Sequence, residues 1–494
     1  MNQLPIYLET KDLIGLVLLI LGSIATTFAL LAWPRLRLPV FFVMVAGAIG
    51  TSFMDFDAYS AYWYRGTTRG FEFTGIDVLA FGLLLSSLIR PRPSQPRWFW
   101  PVGLAPMLLF LAYCIGSTLF ATPMIFGLYE ISKMLRALMF FTATAFFVRD
   151  RRDLGVLVLA LAAAVGAETV LALRERYLLG LYRPHGTLDH SNSLSLYLCM
   201  VTPVLIAAGC SQLTAWIRWI CWGAVLAACV TILLTLSRAG LPIFVLVVGG
   251  ALLWAGSWRP TPLRALAGAI AVVALAGLFV NAWPLLSERY GQSTLHQELF
   301  EPGEGETRGY YFRQAAVMLE QHPFGVGLNN WSYWVSREYG KPLGMNYQNY
   351  DDLLYAPPSD LAYMYRFAAP AHDLGVLTAA ELGWTGLAVL ALVWLRWLWN
   401  GAGFLFGRDD DVRRKIGLGI FFGLVGVFLQ SLTEWTFRQT PIFLTVHMLV
   451  GVLAALRMQR QLAAARAAQE AAESAVEWDL LGEPAAARLE QAEV

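Results

Sequence analysis

Apolar runs of about 20 residues recur along most of this 494-residue chain, and polar segments separate them. A helix needs about 20 apolar residues to cross the hydrocarbon core of a bilayer. The pattern therefore predicts an all-α polytopic membrane protein with about 12–13 transmembrane helices. The thirteen runs lie near residues 13–33, 38–54, 74–89, 99–119, 124–147, 154–173, 192–210, 217–236, 239–257, 265–283, 373–397, 416–434 and 441–457.

One long polar interval divides these runs and sets the expected domain organisation. Residues 1–283 are predicted to form an N-terminal helix bundle, and residues 284–372 a large outward loop with helices. Residues 373–457 supply the C-terminal transmembrane helices. The Ala/Glu-rich tail 458–494 is expected to be cytoplasmic and to begin as a solvated helix, with disorder beyond about Glu473.

The large loop contains a helix signal followed by many aromatic residues. Residues 308–321 have helical apolar spacing, and the segment Pro323–Gly327 is predicted to end that helix. Trp and Tyr residues then recur from Trp331 to Tyr365. Two interpretations fit this stretch: an aromatic belt at the membrane surface, or rings that stack on sugars.

The positions of basic residues predict how the chain is oriented, because short cytoplasmic loops retain Lys and Arg. Every second loop is basic, which places the N-terminus outside and the C-terminus in the cytoplasm. The loop 174–191 is also basic although it belongs to the outward set, so it needs a separate reason. Residues 13–33 follow no basic segment, and we expect them to be a span rather than a cleavable signal. The basic loops contain Arg35, Arg37, Arg90, Arg92, Arg97, Arg149, Arg151, Arg152, Arg218, Arg259, Arg264, Arg408, Arg413, Arg414, Lys415, Arg457 and Arg460.

The composition excludes a soluble globular protein, a disordered chain and a secreted disulfide scaffold. Hydrophobic residues make up 57% of the chain and charged residues 14%, against about 25% charged in soluble domains. The net charge of +1 provides no overall basic field to hold nucleic acid. The five cysteines lie in apolar runs without a CxxC pattern, which favours small buried side chains over a metal site or a disulfide framework.

Charged residues at membrane depth are costly, so each of them suggests a specific role. Arg238 lies in a tight turn between two apolar runs, where it either anchors a hairpin or binds an anion. Arg308 and Arg313 lie at the start of the loop helix, as surface charge or as anion contacts. His372 and Asp373 lie where the chain re-enters the membrane. A histidine there is either an ordinary polar residue of the membrane interface or an acid–base group.

The basic loop 174–191 enters the next span through Asp189-His190-Ser191-Asn192. Asn192 is either the N-cap of that helix or a ligand contact, and Arg183 and His190 are candidate contacts beside it. In the fifth run, Glu130, Lys133 and Arg136 are spaced three residues apart. They form either an internal salt bridge or the lining of a pathway. Glu381 is about 13 Å from His372 along a straight helix, so we expect a structural role for it.

The order of these sites resembles the O-antigen ligase and O-antigen polymerase superfamily of bacterial inner membranes. The resemblance covers roughly residues 185–390. Leu-Ser-Arg-Ala-Gly at 236–240 is followed by Arg308 and then by His322-Pro323-Phe324-Gly325-Val326-Gly327. His372-Asp373-Leu374, Glu381-Leu382-Gly383 and Gly386-Leu387 complete the set.

The resemblance implies a GT-C-like multi-pass protein of the bacterial inner membrane with its active site facing the periplasm, which makes 284–372 a periplasmic loop. It implies an inverting, metal-independent glycosyltransferase without a cofactor. The donor would be a glycan on undecaprenyl diphosphate. The acceptor would be lipid A–core in a ligase, another lipid-linked glycan in a polymerase, or a protein hydroxyl in a related O-oligosaccharyltransferase. Membrane lipids are the remaining expected partner, and nucleic acid is not one.

The resemblance also assigns roles to residues. Arg238 and Arg308 would bind the diphosphate, and His372 would accept the proton of the acceptor hydroxyl. The segment ending at Asn192 resembles a donor-side motif, and Asp373 stands where Asn is commoner in the family. Possible donor or acceptor contacts are Arg183, His190, Asn192, Arg313 and Asp373. No DxD-like motif lies at a convincing outer position, and Asp351-Asp352 is the nearest candidate.

A transporter of lipid-linked glycans is the competing hypothesis, because many spans with buried charges fit a carrier as well. The sequence shows no repeat of its two halves, and it has one large aromatic-rich outer loop. Both features favour the transferase.

Overall fold

The computed structural model describes residues 10–51, 56–61, 63–92, 96, 98–256, 308–345, 347, 367–406 and 411–490, with isolated residues between 273 and 291. Fourteen α-helices have their bounds within these ranges. They are α1 (Thr10–Ala32), α2 (Arg37–Gly47), α3 (Gly75–Ile89), α4 (Leu104–Leu119), α5 (Met124–Phe147), α6 (Arg151–Leu173), α7 (Ser191–Gly209), α8 (Ala215–Thr235), α9 (Gly240–Ala255), α10 (Arg308–Gln321), α11 (Trp331–Trp334), α12 (Leu374–Ala402), α13 (Val412–Ser431) and α14 (Thr440–Glu490).

The predicted all-α polytopic fold is confirmed. Twelve of the thirteen apolar runs are helical, and the run 265–283 lies almost entirely outside the described residues. Among the described helices, six are long and apolar enough to cross a membrane, and three shorter apolar helices accompany them. Helices α5 and α13 also have sufficient length, but each carries three charged residues. The last helix continues to Glu490, past the point at which composition predicts disorder.

A two-stranded antiparallel sheet lies in the segment between α2 and α3. Strand β1 (Phe56–Ala58) pairs with β2 (Phe71–Phe73), and Asp57 is opposite Glu72. Glu72 accepts a hydrogen bond from the Thr440 hydroxyl at the start of α14. This contact ties the small sheet to the last helix.

The centre of the bundle is α7, whose side chains are almost all buried. Helix α13 packs against it through glycines that let the two backbones approach closely. A Cβ on Gly423 would lie 2.2 Å from the Met200 carbonyl oxygen, and one on Gly419 would lie 2.7 Å from the Val204 Cα. Glycine spacing on α13 therefore fixes the position of the following turn relative to α7.

The basic loops gather at one end of the bundle, as the orientation argument requires. Arg92 forms an ion pair with Asp153 at 2.7 Å, and Arg151 reaches Asp411 at 3.5 Å. Arg37 donates to the Arg90 carbonyl. Four loops of the basic set are thus joined directly, away from the turns that carry His372 and Arg238.

Helix α12 is broken at Gly383, where the sequence pattern predicts one continuous span. Gly383 has φ 70° and ψ −178°, and the segment Pro323–Gly327 packs against the break. The Val326 and Gly327 amides donate to the Ala380 and Glu381 carbonyls at 3.0 and 2.8 Å. The Ala380 and Glu381 carbonyls therefore bind the loop segment Pro323–Gly327 rather than amides of their own helix. Because the break depends on this distant segment, the periodicity of α12 does not reveal it.

Replacing Gly325 with alanine is expected to lower the stability of the protein by about 2 kcal/mol or more. Gly325 has φ 84°, and a Cβ there would lie 2.3 Å from the Glu381 carbonyl oxygen. The measurement is the apparent melting temperature of the detergent-purified protein. Gly166→Ala on α6 is the matched control, because a Cβ at Gly166 meets nothing within 4 Å. Equal melting temperatures for the two variants would contradict the close approach at Gly325.

Candidate functional site

His372 lies immediately before α12, and its ring is the accessible centre of a hydrogen-bonded cluster. Its Nδ1 atom is 2.8 Å from Oε2 of Glu434, and the side chains are 38% and 6% exposed respectively. The Tyr311 ring of α10 lies 5.8 Å from the His372 ring. The helix entry, the last hairpin and the loop helix therefore meet at this imidazole.

Asp373 explains why α12 begins directly after His372. Its Oδ1 atom accepts a hydrogen bond from the Val376 amide at 2.9 Å, which makes it the N-cap of α12. The sequence proposed Asp373 as a substrate contact. The structure gives it a capping role, which fixes the place of the histidine in front of it.

Glu434 connects His372 to the start of α7. It lies in the turn between α13 and α14, and its Oε1 atom accepts a hydrogen bond from Asn192 Nδ2 at 2.6 Å. Gln430 strengthens the same junction, because its Nε2 donates to the Asn192 carbonyl at 2.9 Å. Glu434 is not among the site residues predicted from the sequence, because it lies at the end of the apolar run 416–434. A carboxylate in an outward turn of the last hairpin is the signal that marks it.

Asn192 is not the N-cap of α7, and its side chain contacts Glu434 and Arg183. The cap is His190, whose Nδ1 accepts a hydrogen bond from the Asn192 amide at 3.1 Å. The Asn192 side chain is therefore available to pair with both Glu434 and Arg183. Arg183 Nη2 donates to Asn192 Oδ1 at 2.7 Å. The basic character of the loop 174–191 is explained in part by this contact.

Arg183 also joins this cluster to the turn that carries Arg238. Its Nε donates to the carbonyl of Thr235, the last residue of α8, at 3.0 Å. Arg238 follows three residues later in the turn between α8 and α9 and is half-buried. The structure therefore brings Arg183, His190, Asn192, His372 and the Arg238 turn into one region.

The Arg238 turn is fixed by close packing against α7. Leu236 ends α8 in the left-handed conformation with φ 49°, and the Gly240 amide donates to Ser237 Oγ at 3.2 Å. A Cβ on Gly240 would overlap Ser195 Oγ, 1.6 Å away. Ser195 is one turn beyond Asn192 on α7. Glycine at 240 therefore allows the turn to lie against the same helix end that presents Asn192.

Helix α10 spans Arg308–Gln321, as the sequence predicts. Arg308 is its first residue, and the side chain of Arg308 lies outside what the structure describes. Its backbone is one turn before Tyr311, which touches His372. Arg313 is exposed and lies about 200° around the helix from Tyr311, so it faces away from His372.

A buried network of ion pairs stabilises the turn that carries Glu434. Arg438 donates to Glu130 at 3.0 Å and to Glu381 at 2.6 Å, and Lys133 donates to the Arg438 carbonyl at 2.7 Å. Burial alone would lower the pKa of Arg438, but the two carboxylates raise it above its ordinary value. Glu130 also pairs with Lys133 at 2.8 Å. Of the two interpretations for these residues, the structure supports the internal salt bridge.

Arg136 forms a separate buried pair with Asp77. Its Nε and Nη2 atoms donate to the two carboxylate oxygens at 2.9 Å each. Glu381, the carboxylate for which a structural role is expected, belongs to the Arg438 network. The ion pairs of Asp77 and Glu381 do not involve His372.

The aromatic residues of the outer loop have more than one environment. Trp331 and Tyr339 are buried in a loop core with Tyr311 and the first turns of α12. Tyr333 is buried in a second cluster, with Tyr64 and Phe126. These rings serve neither of the two roles considered for them. Trp334 is half-buried and stands beside His322 with ring centroids 5.3 Å apart. Tyr350, Tyr355, Tyr363 and Tyr365 lie outside the described residues.

Groups that could hold a metal ion are absent from the part of the chain that the structure describes, where no three His, Cys, Asp or Glu side chains converge. Asp351 and Asp352 lie outside that part. The five cysteines are all described, form no disulfide with one another and are buried or half-buried.

Comparison with known proteins gives one family match. The model of a family described as O-antigen ligase matches residues 223–391, about a third of the chain. The matched part includes the Arg238 turn, α10 and the entry of α12, whereas Arg183, Asn192 and Glu434 lie outside it. The chain has no match among curated proteins.

Proposed function

Because residues 223–391 place this chain in the O-antigen ligase and polymerase superfamily, we propose that it is an inverting glycosyltransferase. It moves a glycan from undecaprenyl diphosphate to an acceptor hydroxyl at the periplasmic face of the inner membrane. It acts there as an O-antigen ligase or as a polymerase of surface polysaccharide. A multi-pass membrane fold is consistent with substrates that are anchored in the bilayer.

The contact between His372 and Glu434 is the observation that carries this proposal. A carboxylate 2.8 Å from Nδ1 favours the tautomer with a proton on Nδ1, which leaves Nε2 with a free lone pair. The ring is 38% exposed, so a substrate hydroxyl can reach it. His372 is thus arranged as a general base, and Glu434 orients it.

The cationic residues are assigned to the diphosphate. A guanidinium offers a planar pair of donors that matches phosphate oxygens, and Arg238 lies in a turn connected to the His372 cluster. Arg308 begins the helix whose next turn touches His372. Arg183 has a different role, because its donors are engaged by Asn192 and the Thr235 carbonyl.

The proposed step is a single displacement. The acceptor oxygen attacks the anomeric carbon while the bond between that carbon and the diphosphate oxygen breaks. The hydroxyl proton passes to His372 Nε2, and the electron pair leaves with the diphosphate, whose growing charge the arginines stabilise. Attack from the face opposite the diphosphate inverts the anomeric centre. The guanidinium groups supply the positive charge in this scheme, so we propose that the transfer needs no metal ion.

The membrane orientation follows from the position of the basic loops. They are joined at the end of the bundle away from His372. Since basic loops are retained in the cytoplasm, His372 and Arg238 are assigned to the periplasmic side.

Replacing Glu434 with glutamine is expected to lower kcat about 10- to 100-fold and to leave the KM of both substrates nearly unchanged. The amide cannot favour the Nδ1 proton as a carboxylate does, so part of the general-base contribution is lost. Steady-state kinetics of the purified enzyme measure the effect. Glu338→Gln is the control, because Glu338 is a half-exposed loop residue 3.9 Å from Arg337. A rise in KM with unchanged kcat would show that Glu434 does not position the base.

The function itself is tested with purified protein in sealed liposomes. The donor is an undecaprenyl-diphosphate-linked glycan, offered with lipid A–core, with a second lipid-linked glycan or with a protein acceptor. Transfer to one of them with inversion at the anomeric carbon, seen by NMR, supports the proposal and identifies the acceptor class. Movement of the donor across a bilayer without transfer to any acceptor would favour the transporter.

A further inference from the structure

A cavity of about 900 Å³ lies beside the outer end of α4, away from the His372 cluster. Ligand pockets in proteins commonly have volumes of about 300–1,000 Å³. The end of α4 and the following turn form one wall, and His322 with the segment Phe324–Gly327 forms the other. Trp334 completes the lining.

The chemistry of the lining excludes a diphosphate as its ligand. Among the described residues that line the cavity there is no Lys, Arg, Asp or Glu. Its polar groups are Tyr113, Ser117, Thr122 and His322, together with the Trp334 indole. The Trp334 N–H is buried and has no acceptor among the described residues. These groups suit an uncharged ligand rich in hydroxyls.

Aromatic rings form the mouth of the cavity. Phe120 is 92% exposed and Phe324 is 75% exposed, on opposite walls. Exposed rings of this kind are costly in water, and they pack well against the C–H faces of sugars. Hydroxyl partners inside and aromatic faces at the mouth together describe a saccharide site better than a site for a hydrocarbon chain.

The cavity and His372 lie at opposite ends of α10. Tyr311 in its first turn touches His372, and His322 directly follows its last residue. Ten residues of α-helix separate Tyr311 from Gln321, a rise of about 15 Å. A glycan whose reacting end is at His372 therefore needs several sugar units to reach the cavity.

We propose that this cavity binds an uncharged saccharide segment of a substrate glycan, several sugars from the reacting end. The proposal rests on the glycosyltransferase function proposed above and adds a second contact region to it. The segment belongs either to the donor glycan or to the acceptor glycan, which share this chemistry, and kinetics distinguish the two.

Gly116 provides a well-matched pair of variants. It lines the cavity, and a Cβ there meets nothing within 4 Å. Gly116→Leu fills space in the cavity without a clash on the helix, whereas Gly116→Ala adds only a methyl group. Both substitutions favour the helix, so a folding defect is not expected for either.

The test uses a free oligosaccharide of the host's own surface glycan that carries a diazirine. On irradiation it is expected to label residues 112–122 or 322–334 in the unmodified protein, in Gly116→Ala and in His372→Ala. The labelling is expected to fall at least 10-fold in Gly116→Leu. Labelling elsewhere, equal labelling of Gly116→Leu, or competition by phosphatidylglycerol but not by unlabelled oligosaccharide would overturn the proposal.

Kinetics identify the source of the segment. In Gly116→Leu, we expect KM to rise at least 10-fold for one substrate only, the donor or the acceptor, with kcat nearly unchanged. An unchanged KM for both substrates would contradict the site. Because labelling of the His372→Ala variant needs no turnover, the saccharide site and the catalytic proposal can fail separately.

Discussion

Replacing His372 with alanine is expected to lower the rate of glycan transfer by roughly 10²–10⁴-fold, the usual contribution of a positioned general base. The imidazole is the exposed end of a chain of contacts from Arg183 through Asn192 and Glu434, with distances of 2.6–2.8 Å. Removing it leaves the rest of the chain in place. The rate is measured with purified enzyme at saturating donor and acceptor.

The control for this variant is His185→Ala, whose ring lies 3.9 Å from Glu175 rather than beside Glu434. It is expected to retain nearly full activity. Both proteins must be present in the membrane at equal amounts. Full transfer by His372→Ala would remove the imidazole from the mechanism and with it the role assigned to Glu434.

Replacing Arg238 with alanine is expected to lower transfer by about 10²–10³-fold, because charge that develops on the leaving diphosphate loses a fixed cation. Lysine at this position should restore part of the rate, since it keeps the charge but not the planar pair of donors. The same kinetic assay measures both variants.

Arg218→Ala is the control for Arg238, because Arg218 lies near the opposite end of α8. We expect its activity to be unchanged. If Arg218→Ala and Arg238→Ala lose activity equally, the effect is one of helix stability and the diphosphate site is not at the turn. A distinct loss in Arg238→Ala, with lysine intermediate, is the result that the geometry requires.

The sequence predicted much of the architecture because membrane spans leave a local signal. A run of about 20 apolar residues is recognisable without knowledge of its neighbours, and the start and end of the loop helix α10 were also readable from its spacing and from Pro323. The resemblance to the O-antigen ligase family, whose model matches residues 223–391, followed from short motifs in a fixed order along the chain. His372 and Arg238 were identified because charged or titratable groups at the edge of a span are uncommon.

Other features depend on contacts between distant residues. Glu434 is 62 residues from His372 and 242 from Asn192, and no periodic pattern relates positions so far apart. The same reason hid the break of α12 at Gly383, which is defined by a loop about 60 residues earlier in the chain. The role of Asn192 was likewise left open until its partners were known. The role of Arg308 remains a prediction, since its side chain lies outside the described residues.

By itself, the sequence determined that this is a multi-span helical protein whose residues 223–391 are similar to the O-antigen ligase family, with a histidine and arginines at helix ends. Hydrophobic periodicity and short motifs are local, so they suffice for those conclusions. Only the tertiary structure decided which carboxylate contacts the histidine, where α12 breaks, and that a cavity whose described lining has no Lys or Arg lies at the far end of α10. Each of these features depends on how separate helices pack. Packing in turn depends on close contacts between distant segments of the chain, such as those at Gly240, Gly325 and Gly423.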